Sequence, residues 1–301
     1  MITCRLLEAR RAAVLISGLA LLAPWAVPAA QAAPLSMAEA VKAYAPVVHL
    51  HEDDRNRPMS AEAFIGRSEL RWNHEGRCVR DSGVARPVDA RTLGRGGYRH
   101  QKKGGAFCNH GGREYNSAEG TRPKGGGVAG DDGFFLDLDN DARNGEGPSA
   151  PVYYHHGKGW ITYWLFYGYN DFVARFNHEG DWEKVSVYLD KNNRITGVYY
   201  SAHHGGCRTG KPSGRPEAFA AKGSHANYPK PGTYTARQDH ASDRGPAWAT
   251  QNRLLRLAEQ PWYGYGGGWG EVGEFSDTTG PLGPHPAYKP SAPPADAKPC
   301  G

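Results

Sequence analysis

The densest group of metal-competent side chains in this 301-residue sequence is Asn170, Asp171, His178, Glu179, Asp181 and Glu183, with Gly180 and Trp182 interleaved. In the strand expected to follow, Val185, Val187 and Leu189 share one face, and counting back by two puts Glu183 and Asp181 on that same inward side. Two carboxylates aimed into an apolar interior are costly when unpaired, so they need a cation or basic partners. Asp171, on the preceding connection, and His178, just before the strand, would add a third carboxylate and one imidazole. Oxygen-rich donors with a single nitrogen favour Mg2+, Ca2+ or Mn2+ over a structural Zn2+. The competing reading pairs Asp181 and Glu183 with arginines at a sheet rim while His178 caps a turn. The residues alone leave both open.

The elements that must position this group read as strands. Phe134 to Leu138, Val152 to His156, Trp160 to Tyr167, Trp182 to Asp190 and Ile195 to Ala202 are aromatic or β-branched runs separated by Gly, Asn, Asp and Pro. Residues 190–194 make a short loop suited to an antiparallel hairpin. Trp160 to Tyr167 is apolar on both parities, which predicts a central strand covered on both faces. Upstream, Ser36 and Glu39 have capping-box spacing for a short helix ending at Pro46, and Val47 to Leu50 follows as a strand. Arg67 to Gly130 is polar, glycine-rich and aperiodic, a long excursion with few strands. Pro246 to Gln260 is expected as a helix stopped by Pro261. The expected fold is mainly β: a single β-sandwich domain with long Gly-rich loops and a few short helices.

Composition agrees. The 40 Gly and 22 Pro make up about one residue in five, which excludes a helical bundle, while 16 Tyr, 9 Phe and 8 Trp suffice for a core. Arg5, Arg10 and Arg11 precede an apolar run that ends in Ala30, Gln31, Ala32, the pattern of a cleaved secretory signal over residues 1–32. The sandwich is expected over 33–280 and a Pro-rich C-terminal strap over 281–301. The signal carries three Arg and one Glu, so its removal lowers the formal charge from +5 to +3. Lys and Arg are scattered, which argues against nucleic acid as a partner, and no later segment is apolar enough to span a bilayer. In an exported chain Cys78, Cys108, Cys207 and Cys300 suggest two disulfides with three possible connectivities. Cys78 with Cys108 would staple the Gly-rich loop, and Cys207 with Cys300 would tie down the tail.

Several tempting patterns fail on chemistry. Asp137, Asp139 and Asp141 open like a calcium loop, but Ala142 and Pro148 stand where Gly and Glu are required, so no more than a looser calcium-stabilised turn is left beside a solvated acidic loop. His178-Glu179 lacks the second His of a zinc protease. Ser224-His225 lacks the strained elbow of a serine hydrolase. Gly264 to Gly270 lacks the Lys of a phosphate loop, and its aromatics Tyr263, Tyr265 and Trp269 read as sheet-edge packing or as a sugar-stacking platform.

The segments at 45–50 (APVVHL), 163–171 (YWLFYGYND), 178–183 (HEGDWE), 201–205 (SAHHG) and 223–228 (GSHANY), in this order, resemble the family named after vacuolar protein sorting-associated protein 62. More distantly, His178, Asp181, Trp182 and Glu183 have the spacing of a heptapeptide in the necrosis- and ethylene-inducing-like proteins, secreted cytolysins with a β-sandwich fold. That resemblance implies that His178, Asp181 and Glu183, with Asp171 as the loop carboxylate, hold a divalent cation that helps bind sphingolipid sugar headgroups at a membrane. Ala202 and His203 resemble a further segment of that family. Glu179 and Gly180 replace its Arg-His pair, which separates the ion site from the lipid specificity.

Three functions are therefore expected to compete. The first is a secreted metal-dependent protein that binds glycan or lipid headgroups, with His203, His204 and His225 behind the ion or against the ligand. The second is a metal-dependent hydrolase of phosphoester or glycosidic bonds, with Glu179 or His225 as general acid or base. In the third the ion is purely structural.

Overall fold

The computed structural model describes residues 33–73, 82–96, 133–173, 176–234, 238–286 and 289–301. The expected signal over 1–32, and Cys78 and Cys108 with their expected bridge, lie outside the described residues.

The aromatic and β-branched runs are densest through the middle of the sequence, and there the central sheet forms. Its six strands lie in the order Leu254–Arg256, Val152–Gly157, Trp160–Asn170, His178–Leu189, Ile195–Ala202 and Gly205–Gly210. The last five pair antiparallel, and Leu254–Arg256 joins the edge in parallel. Trp160–Asn170 is apolar on both parities because the sheet has a core on each side. Ile161, Tyr163, Leu165 and Tyr167 face one core with Val185, Val187 and Val198. Trp164 and Phe166 face the other with Trp182. Burying about twenty apolar residues in each core stabilises both faces by roughly 25 cal/mol per Å2 of apolar surface removed from water.

Each core is closed by a smaller sheet. On the first side Val47–His49, Glu217–Ala220, Asn227–Tyr228 and Ala247–Ala249 form four strands that contribute Val48, Ala218, Ala220 and Trp248. On the second, Ser68–Asn73, Ser82–Ala85, Gly133–Leu138 and Gly268–Trp269 contribute Leu70, Trp72, Phe134 and Trp269. A ribbon of Gly232–Tyr234 and Asp239–Ala241 adjoins the first of these sheets, where Ala241 bridges to Ala221 and packs with Phe219 and Tyr228. The chain is mainly β, a layered sandwich with three short helices among the described residues: Met37–Tyr44, Ala61–Gly66 and Ala90–Gly94. The first begins at a complete capping box, with Glu39 N donating to Ser36 Oγ at 3.2 Å and Ser36 N to Glu39 Oε2 at 2.8 Å.

The expected helix over Pro246 to Gln260 is not formed. Trp248 lies opposite Val48 in an antiparallel ladder, Leu254–Arg256 pairs with Val152 to Tyr154, and short 3-10 turns link them. Two sheet edges needing hydrogen-bond partners outweigh the weak helical preference of the intervening Thr-Gln-Asn. The strand expected from Trp182 starts four residues earlier, at His178, and Trp160 to Tyr167 extends to Asn170. Tyr265 and Trp269 are buried in the second core, so they pack the sandwich and present no open platform. Asp137 and Asp139 are paired with Arg71 and Arg86 at 2.7 and 2.8 Å.

The tail crosses the central sheet. Ser291 accepts from Thr162 Oγ1 through its carbonyl at 2.7 Å and from Trp164 Nε1 through its hydroxyl at 3.0 Å. Tyr188 donates to the Pro294 carbonyl at 2.6 Å, and the Cys207–Cys300 disulfide fastens the end to the edge strand Gly205–Gly210.

Candidate functional site

His178–Leu189 pairs with Trp160–Asn170 along its whole length, but its ladder with Ile195–Ala202 runs only from Val185 to Leu189. Between His178 and Lys184 the second edge is therefore open, and a cavity of about 90 Å3 lies there. The strand contributes His178, Asp181 and Glu183, the turn after Ala202 contributes His203 and His204, and the tail contributes Lys289. Phe172 and Phe176 form its apolar wall.

Two glycines make this crossing possible. Gly180 has φ +60°, and a Cβ there would run into the Trp269 carbonyl. Gly223 has φ +73° and lies against the Asp171 carbonyl, with Asp171 N donating to Gly223 O at 3.1 Å. Both positions combine left-handed backbone with main-chain contact, a combination only glycine meets.

Strand parity aims Asp181 and Glu183 inward, on the face of Val185 and Val187, and both are buried. Each has a partner. Asp181 Oδ2 lies 2.8 Å from His225 Nδ1, and Glu183 accepts a short hydrogen bond from Ser201 Oγ. His225 Nε2 faces Asp54 Oδ2 at 3.4 Å, so the imidazole sits between two carboxylates. Burial alone would lower its pKa, but Asp54 and Asp181 outweigh that and push it up to about 10. Asp54 in turn is held at about 2 despite its own burial, by His225 and by the Gly223 and Asn56 amides. Burial, with Asp181 beside it, pushes the Glu183 carboxyl well up. Lys289 donates to the Trp182 carbonyl at 3.3 Å; burial pulls its ammonium down against the attraction of Glu183 and Asp181. The paired basic partner of the carboxylates is thus a histidine, with Lys289 attracting them from the Trp182 carbonyl, where rim arginines were the competing expectation.

His178 Nδ1 lies 2.8 Å from the Gly180 carbonyl, so it donates and leaves Nε2 with the lone pair in the neutral ring. His203 Nε2 lies 2.7 Å from Asp239 Oδ2. Asp239 is fully buried and also accepts from Ser224 at 2.6 Å and Tyr228 at 2.5 Å. Burial would raise its carboxyl, yet the His203, Ser224 and Tyr228 hydrogen bonds bring it below the ordinary range. An ionised carboxylate only accepts, so His203 donates through Nε2, and in the neutral ring the lone pair then lies on Nδ1. His204 faces Asp277 at 3.4 Å in a more exposed position.

The other expected site residues lie elsewhere. Asp171 borders a neighbouring cleft of about 680 Å3, beside Asp54, Arg57 and Lys222, and accepts from Asn177 Nδ2 at 3.1 Å. Glu179 does not line the cavity; its carboxyl accepts from Leu138 N at 2.9 Å, and burial raises its pKa to about 8. His225 lies under the floor, stacked on Tyr167.

Sequence reasoning missed Asp54, Ser201, Asp239 and Lys289, which come from distant segments and carry no local spacing signal. It named Asn170 without giving it a role. Asn170 is 8% exposed, lines the cavity, and its Oδ1 has no hydrogen-bond partner. A buried amide oxygen without a donor is uncommon and fits a hard cation or its water. No three ligand atoms of Asp171, His178, Asp181 and Glu183 lie within 4.8 Å of one another; among the described residues only His51, Glu52 and Asp53 meet that test. There two of the three side chains are engaged, since His51 contacts Asp53 N at 3.1 Å and His240 at 2.8 Å, and Glu52 pairs with Arg244. The Asn170 cavity fits an ion that keeps water in its shell better than one stripped by protein ligands.

No protein-family model matches the chain, and no curated protein matches it. Its structure is similar to the crystal structure of Necrosis and Ethylene inducing Protein 2 from the causal agent of cocoa's Witches Broom disease. The identity is 17%, over 71% of this chain and 82% of that chain, with a TM-score of 0.27, a likeness too slight to bear on the site.

Proposed function

We propose that this protein binds a polar glycan or lipid headgroup through a hydrated divalent cation, Mg2+, Ca2+ or Mn2+, held at the cavity by Asn170, His178, Asp181 and Glu183. The observation that carries this reading is the unpartnered, buried Asn170 Oδ1 on the same wall as His178 Nε2 and two inward carboxylates. A bound ion supplies a positive centre for the oxygens of a sugar or phosphate. His203 and His204 border the same opening and would contact the headgroup. Asp171 enters as the loop carboxylate across the neighbouring cleft. The heptapeptide spacing shared with the cytolysins supports the reading. Secretion accords with the Cys207–Cys300 disulfide, because such bonds persist in oxidising compartments. No helix among the described residues is long and apolar enough to cross a membrane.

The test is titration calorimetry with each ion on the purified chain and on Asn170→Ala, Asp181→Asn and Asp171→Asn, followed by a glycan and liposome panel with and without chelator. Saturable ion binding lost in the first two variants is expected, and the third decides whether Asp171 takes part. No ion binding, or headgroup binding indifferent to chelator, would remove the reading.

One observation favours hydrolysis as the second reading. The His203–Asp239 pair leaves the lone pair of the neutral ring on Nδ1, the arrangement that lets a histidine take a proton from water. Turnover of a phosphoester or glycoside that is abolished by His203→Gln would establish it. A full substrate panel without turnover would dismiss it.

A further inference from the structure

Lys289 stands two residues before Ser291, where the tail is pinned to Thr162 and Trp164. Its main chain is fixed from the other side by a two-hydrogen-bond bridge to His285, at 3.2 and 3.0 Å. Beyond Ser291 the tail is held at Pro294 by Tyr188, at Lys298 by Arg208 N at 2.8 Å, and at Cys300 by the disulfide. A side chain so bracketed has little freedom, and its Nζ reaches the Trp182 carbonyl at 3.3 Å on the open edge of the strand that bears Asp181 and Glu183.

The nearby positive groups stand at different ranges from the two carboxylates: His225 is hydrogen-bonded to Asp181, whereas Lys289 attracts Asp181 and Glu183 from a distance. Asp181 has His225 at 2.8 Å, which in turn faces Asp54. Glu183 has a neutral donor, Ser201, and the attraction of Lys289. A divalent ion drawn to Asp181 and Glu183 would meet the lysine nitrogen in the same 90 Å3 cavity. Two like charges at close range, shielded from water, repel strongly, and the ion also needs the oxygen lone pairs the ammonium attracts.

We propose that Lys289 is the cavity's built-in cation: the tail seats a side-chain nitrogen at the carbonyl of Trp182, the residue between Asp181 and Glu183, and a divalent ion must displace it to bind. The inference rests on the cation reading above and adds its regulation. Ion affinity is then set by how firmly the tail is anchored, and the protein without ion is stabilised by the same lysine that competes with the ion.

Calorimetry with Ca2+, Mg2+ and Mn2+ on the wild-type chain, Lys289→Met and Lys289→Arg, with ion-free melting temperatures, tests this. Lys289→Met is expected to bind at least one of the ions about tenfold more tightly and to melt at a lower temperature without ion; Lys289→Arg should bind as the wild type does. If Lys289→Met folds poorly, Lys289→Gln serves in its place, with circular dichroism as the check on folding. Wild-type binding that is lost in Asp181→Asn but unchanged or weaker in folded Lys289→Met overturns the role of Lys289 and leaves the cation reading standing. No ion binding by any folded variant overturns both.

Discussion

His225 lies flat on Tyr167, with ring centroids 3.8 Å apart and planes 2° from parallel. The stack orients the imidazole edge so that its two nitrogens face Asp181 and Asp54. Replacing His225 with Ala would leave two buried carboxylates without their shared partner, and such losses cost about 3–5 kcal/mol. Tyr167→Phe offers the contrast, because the Tyr167 hydroxyl has no hydrogen-bond partner; its removal should leave stability unchanged or raise it by about 1 kcal/mol. Urea unfolding of the two variants checks this, and equal effects would refute the role of His225 as the carboxylates' shared partner.

The acid limb of stability should depend on Asp54. Its carboxyl is held at about 2 in the fold, below the ordinary value of 3.8. A depressed carboxyl contributes stability that is complete above its unfolded pKa and is lost as pH falls through its folded one. The window is therefore about pH 4 down to about pH 2, and the contribution is on the order of 2 kcal/mol. Asp54→Asn should flatten the fall of unfolding free energy in that window, and parallel curves for variant and wild type would refute the assignment.

Gly180→Ala should be among the most damaging single-methyl changes. It combines an unfavourable left-handed φ with a clash against the Trp269 carbonyl. Separating two packed backbones costs more than the roughly 1 kcal/mol of the dihedral alone, so a loss above about 2 kcal/mol is expected. Gly210→Ala meets open space and is the control. Similar melting temperatures for the two variants would show that the crossing yields easily.

Breaking the Cys207–Cys300 disulfide should cost about 2–4 kcal/mol, because it closes a loop across a sequence separation of 93 residues. Cys300→Ser is expected to lower the melting temperature by several degrees and to open the Arg208–Cys300 backbone contact first. Hydrogen exchange at Arg208 and Cys300 reads this directly, and unchanged protection would mean that Ser291 and Pro294 alone hold the tail.

Much of the fold was legible because it rests on local rules. Aromatic and β-branched runs located five strands of the central sheet or its neighbours, the apolar run from Trp160 to Tyr167 announced a strand covered on both faces, and Ser36 with Glu39 marked the first helix. Pro246 to Gln260 misled because its leucines suit a helix until two distant sheet edges claim them. Within the site, counting by two from Val185 correctly turned Asp181 and Glu183 inward, since parity is a property of one strand.

What that strand meets was decided by tertiary structure. Asp54, Ser201, His225 and Lys289 come from four separate parts of the chain, and hydrogen bonds between side chains so far apart leave no periodic trace. The sequence by itself determined a β-rich chain with two carboxylates facing inward and a requirement for positive charge beside them. Only the folded structure decided that a buried histidine, set between Asp181 and Asp54, meets that requirement, because charge pairing depends on distance in space and not on order along the chain.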